Sequence, residues 1–256
     1  MKKILAIILL SRMSLCIFSQ PISVNGIVDF YKKIDIDCYK EKISEGMAHF
    51  NTWLRDSLPT KTEMPSWYTP TDINLQGKEV IPLVALNFYN MKNFDEKESI
   101  YNHIIIDSTL SVIFIVLDDE RKPIGITDVA GDRYSYIDFT NKNDANAYQR
   151  WDKKVKDLLR ARKKEEPKAL VYLYKLIGGL GYIKNGKIHL IPPRKKNPEE
   201  LEEYIKMCIQ ISKEFVTGSD QIIIPETIKD FWSQDNTPID VRLTGNTPPE
   251  KMRICF

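Results

Sequence analysis

Residues 104–139 read IIIDSTLSVIFIVLDDERKPIGITDVAGDRYSYIDF. Residues 112–117 are an unbroken apolar run of β-branched, aromatic and aliphatic side chains. A run of this length with no polar member on either face suits a strand buried on both sides. Asp118, Asp119, Glu120, Arg121, Lys122 and Pro123 form a polar turn, after which residues 124–129 are apolar enough to return as a second strand. The reading places this hairpin at the centre of a sheet. Upstream, residues 100–107 are expected to open that sheet as a strand.

Working outward, the strands cluster instead of alternating strictly with helices. The fold class is therefore α+β, with a central antiparallel or mixed sheet and several amphipathic helices packed on it. On the N-terminal side, residues 22–34 are ambiguous, although Ile27, Phe30, Tyr31 and Ile34 have helical spacing. Tyr39, Ile43, Met47, Phe50 and Leu54 recur every three or four residues, which predicts a helix from near Asp37 to Pro59. Residues 60–77 show no period and read as a long loop, a kind of segment that is often functional. Trp67 and Tyr68 in its middle are a candidate ligand-stacking pair, or pins that hold the loop to the core. Residues 80–89 are hard to type; Pro82 fits a first helical turn.

On the C-terminal side, Ala147, Tyr148, Trp151, Val155, Leu158 and Leu159 mark a helix over residues 143–164, with Asn141 or Asn143 as its cap. Residues 168–177 are rich in β-formers yet compatible with a helix, and Gly178, Gly179 and Gly181 are expected to break them. Asn185-Gly186 lies between two alternating apolar arms, a type I′ hairpin signature. Asn197-Pro198 is expected to cap and open a helix whose first turns carry Glu199, Glu200, Glu202 and Glu203. Beyond it, residues 222–224 and 239–243 read as short strands and residues 225–232 as a short helix.

The chain has 256 residues, is 43% hydrophobic and 28% charged, and carries a net charge of +2. That composition belongs to a folded globular chain, and its net charge supplies no global field for nucleic acid. Lys2 and Lys3 precede a short apolar run at residues 4–10, as in a secretory signal peptide. Residues 1–19 are read as that signal, with Ser19 at the cleavage site, and residues 20–256 as a single α+β domain. Arg12 cuts the apolar region short, and the competing reading is the first helix of an intracellular protein. No segment of the mature chain is long and apolar enough to be transmembrane. The expected location is periplasmic or extracellular. Cys16 follows Leu15 where lipid attachment wants a small residue. Of the remaining cysteines, Cys208 falls on a helix stripe, and Cys38 and Cys255 are the pair left for a disulfide.

Three constellations invite chemistry. His103 and Asp107 share a strand face if residues 100–107 are extended, and Ser111 follows, so base, orienter and nucleophile types lie close together. No G-x-S-x-G elbow frames either nearby serine. Asp118, Asp119 and Glu120 lack the spacing of a calcium loop, and no histidine spacing suits a metal. The strongest signal is basic. Lys153, Lys156, Arg160, Lys163 and Lys164, together with Arg150, Lys154 and Arg162, crowd one predicted helix, opposed within that span by Asp152 and Asp157. Such a stripe can hold phosphate, anionic lipid or an acidic protein surface, or can simply be a solvated face. The sequence reading is thus an exported, non-catalytic interaction protein that uses this face or the Trp67 loop. Its partner is a protein or an anionic envelope component, with no cofactor and no nucleic acid. A His103–Asp107–Ser111 hydrolase is the alternative.

Overall fold

The computed structural model describes residues 21–57, 74–89, 95, 97–107, 110–130, 133–139, 145–173, 179–191 and 197–216. Among the described residues, four α-helices accompany one mixed sheet of eight strands. Strands β1 (Val80–Phe88), β2 (Ile104–Ile106), β3 (Val112–Leu117), β4 (Pro123–Ala130) and β5 (Arg133–Asp138) precede helix α3, and β6 (Ala169–Leu173), β7 (Gly179–Lys184) and β8 (Lys187–Leu190) follow it. The order is β5-β4-β3-β1-β6-β7-β8, with β2 also on β1. Every neighbouring pair is antiparallel except β1–β6, which is parallel. Helices α1 (Val24–Lys32) and α2 (Ile36–Ser57) come before the sheet; α3 (Ala145–Glu165) connects β5 to β6, and α4 (Leu201–Val216) follows β8.

The β3–β4 hairpin forms as the sequence indicates, and all six residues of β3 are buried. It is not the centre of the sheet. That place belongs to β1, whose segment reads as a possible helix start in the sequence. Pro82 is compatible with this strand because of where its nitrogen points. The odd-numbered residues of β1 exchange hydrogen bonds with the β3 side, as in Ala85 N–H to Ser111 O at 2.8 Å and Leu117 N–H to Glu79 O at 3.0 Å. The even-numbered residues face β6, and that ladder begins only at Val84↔Val171. Pro82 lies just before it, where a missing N–H leaves no ladder bond unmade.

Other expectations change for similarly local reasons. Residues 100–107 do not form one strand: Ile100–His103 is a 3-10 turn, capped by Ser99, whose hydroxyl accepts from Tyr101 N–H at 3.4 Å. Only the three residues of β2 pair with β1. Gly179 is the first residue of β7 and Gly181 lies within it, so neither glycine interrupts that strand, while Gly178 lies outside the described residues. Residues 169–173 are a strand, resolving an open choice. Helix α4 begins at Leu201, four residues after Asn197, because the edge of β8 claims the residues between. Leu190 N–H donates to Glu199 O, and His189 and Glu200 form a bridge. Ile188 N–H, the other outward donor of β8, is taken by the Tyr101 hydroxyl at 3.1 Å.

The remaining elements follow their residues. Ser23 caps α1 by accepting from Gly26 N–H at 3.1 Å. Asn185 and Gly186 take φ of 53° and 74°, as the hairpin turn requires. The core is continuous from Ile27 and Tyr39 through the strands to Leu201 and Ile205. The expected signal at residues 1–19, the Trp67 loop, the caps at Asn141 and Asn143, and every element expected beyond residue 216 lie outside the described residues.

Candidate functional site

The basic helix is the feature that the structure displays most openly. Val155 and Leu158 are fully buried, and Trp151, Leu159 and Ala161 pack partly buried against the core. The Trp151 ring lies 5.9 Å from that of Tyr172 on β6. Since 3.6 residues make a turn, burying this side turns Lys153, Lys156, Arg160, Lys163 and Lys164 outward. All five are exposed. Arg162 falls on the other side of the helix, near enough to Tyr31 of α1 to offset part of the rise that burial causes in that phenol's pKa.

Acidic partners thin this charge without cancelling it. Lys156 reaches Asp152 at 2.7 Å and Arg160 reaches Asp157 at 2.8 Å, each within the helix. Exposed pairs of this kind contribute little stability and exchange readily with solvent. Glu165 receives Lys164 at 3.1 Å and Lys184 of β7 at 2.6 Å, so the helix end is tied to the sheet. Those hydrogen bonds hold the Glu165 carboxyl below its ordinary pKa. Helix α3 carries eight basic and three acidic residues, a net +5. The whole chain carries +2, so everything outside this helix is net negative.

His103, Asp107 and Ser111 are all buried, and each is engaged elsewhere. The strand face expected to join the first two does not form, because His103 ends the 3-10 turn and Asp107 follows β2. His103 Nδ1 faces the Tyr89 carbonyl at 3.0 Å and Nε2 faces Glu98 Oε2 at 3.1 Å. Asp107 Oδ1 accepts from Leu110 N–H at 3.0 Å, and its Oδ2 accepts from the Asn87 amide at 3.3 Å. The Ser111 hydroxyl donates to Asp107 O at 3.4 Å. Ala85 closes the loop from outside: its N–H donates to Ser111 O at 2.8 Å and its carbonyl accepts from Asp107 N–H at 2.9 Å. Asp107, just after β2, and Ser111, just before β3, are therefore both pinned on one residue of β1. A lone asparagine in an apolar strand was the available sign that Asn87 has a buried partner.

Nearby, Tyr39 of α2 is fully buried and its hydroxyl has no hydrogen-bond partner among the described residues. Burial raises its pKa; the Ser111 hydroxyl, close by but committed to Asp107 O and outside hydrogen-bond geometry to the phenol, offsets part of that rise. Lys42 lies 5.4 Å over the Tyr39 ring, its pKa lowered by burial.

The acidic turn serves itself: Asp118 Oδ1 accepts from Glu120 N–H at 3.0 Å and Lys122 N–H at 2.7 Å. Among the described residues no group of three or more His, Cys, Asp or Glu is placed to hold a metal ion. No helix among them is long and apolar enough to cross a membrane. Cys38 is disulfide-bonded and Cys208 is a free thiol. Trp67, Tyr68 and Cys255 lie outside the described residues. In comparison with known proteins, the chain matches no family model, no curated protein and no solved structure.

Proposed function

We propose that this chain is an exported binding protein and that the outer face of α3 is its surface for an anionic partner. The observation that carries this reading is the exposure of Lys153, Lys156, Arg160, Lys163 and Lys164 together, on a helix whose other side is core. Helix stability alone accounts for only part of the arrangement. Cations in the last turn complement the helix dipole, but Lys153, Lys156 and Arg160 lie too far from the C-terminus for that. Export is supported by the Lys2-Lys3 leader and by the disulfide at Cys38, a bond that oxidising compartments permit. Binding is favoured over hydrolysis because His103 and Asp107 have structural partners in Glu98, Asn87 and the backbone.

Retention on immobilised polyglutamate tests the surface. Wild type is expected to bind at low ionic strength and to elute as salt rises, since screening acts over about 10 Å at 0.1 M. The variant carrying Lys153→Gln, Lys156→Gln and Arg160→Gln is expected to elute far earlier while keeping its fold. Co-elution of the two proteins would sink the reading. Sequencing the mature N-terminus from the native host tests export, and a soluble chain retaining residues 1–19 would count against it.

A further inference from the structure

We propose that the anionic partner of α3 is a lipid bilayer surface, on which the helix lies flat with its outer face toward the headgroups. This rests on the reading of α3 as the binding surface and names what it binds. The first ground is shape. Residues 153 to 164 span about 16 Å of helix, and five of its exposed cations, all but Arg162, fall within about a third of its circumference. They form a straight convex row with no hollow between them, which suits a plane of charges better than a single phosphate.

The second ground is what the row lacks. Residues 152, 153, 156, 157, 160, 163 and 164 are all charged. A specific protein partner is normally held by aromatic or aliphatic anchors in dry pockets, ringed by polar contacts. This face offers no such anchor. It offers long, hydrated, mobile cations, each attracted to an anionic leaflet within a Debye length of its surface. The third ground is the charge of the rest of the molecule. Without the leader's Lys2, Lys3 and Arg12 the net charge falls from +2 to −1; with +5 on α3, the remainder of the mature chain carries −6 and is repelled by the same surface, which orients the chain as well as attracting it. Because no apolar side chain joins the row, the contact is peripheral, without insertion.

The experiment is vesicle flotation of the full mature chain. One arm uses vesicles of mixed phosphatidylglycerol and phosphatidylcholine, a second uses phosphatidylcholine alone, and immobilised polyglutamate is run in parallel. Wild type is expected to float with the anionic vesicles at low ionic strength and not with the neutral ones. The Lys153→Gln, Lys156→Gln, Arg160→Gln variant is expected to lose on the order of a hundredfold in partition. A control carrying Lys32→Gln, Lys33→Gln and Lys78→Gln, three exposed lysines off this helix, loses the same net charge and is expected to float like wild type. Equal floating of wild type and the α3 variant, or equal losses in both variants, overturns the inference. Binding to polyglutamate without floating also overturns it while leaving the anionic-partner reading intact. Failure of wild type in every arm overturns both.

Discussion

Thr127 performs a task that its position in an apolar strand conceals. The β3–β4 ladder ends at Ile115↔Ile126, and the next donor, Phe114 N–H, is taken at 2.8 Å by the Thr127 hydroxyl. Both residues are essentially inaccessible to water. Thr127→Val keeps the shape and removes the acceptor, leaving a buried N–H unpaired. The expected loss is about 1–3 kcal/mol in a urea titration. A variant as stable as wild type would mean that another group takes this donor. Tyr39→Phe runs the other way. The phenol is buried and unpaired, so removing it relieves a desolvation cost. Tyr39→Phe is expected to be at least as stable as wild type by the same titration. A loss above about 1 kcal/mol, the worth of one made hydrogen bond, would show that the hydroxyl has a partner.

At the level of elements, β7 depends on a glycine for closeness. A Cβ on Gly181 would stand 2.5 Å from the His189 carbonyl oxygen, which belongs to the backbone of the paired strand and cannot swing aside. Gly181→Ala is therefore expected to part the β7–β8 hairpin near this point and to speed amide exchange at Ile191, whose N–H donates to Leu180 O at 2.7 Å. Unchanged exchange there would show that the strands absorb the methyl. This glycine also shows where sequence reading runs out. Glycine is read as a breaker because of its backbone freedom, and nothing local distinguishes that use from the absence of a side chain where two strands press together. Pro82 misled for the same reason, since its fitness for a strand depends on which neighbour its nitrogen faces. The Asn185-Gly186 turn, the apolar run of β3 and the core side of α3 were legible because each is set by local φ preference or periodicity. The five outward cations of α3 were legible with them, being the complement of Val155 and Leu158. The partners of His103 and Asp107 were not, because Glu98 and Asn87 reach them through a 3-10 turn and a neighbouring strand.

For the molecule as a whole, the cysteines give a test of compartment. Alkylation in denaturant without reductant is expected to label Cys208 and spare Cys38, and peptide mapping would read the pattern. Labelling of Cys38 in protein from the native host would remove the disulfide's support for export. In the folded protein Cys208 should react slowly, because burial pushes its thiol pKa up. Charge is as unevenly shared as reactivity, with one helix holding more positive charge than the chain retains overall. A protein that gathers at high local density on a surface meets its own copies there far more often than in solution, and exposed strand edges are then the danger. At the β8 end that hazard is met by two atoms: the Tyr101 hydroxyl and the Glu199 carbonyl occupy the donors of Ile188 and Leu190. An incoming strand finds both of these outward N–H groups already taken, which lowers the tendency of this edge to pair with a second copy when the protein is crowded.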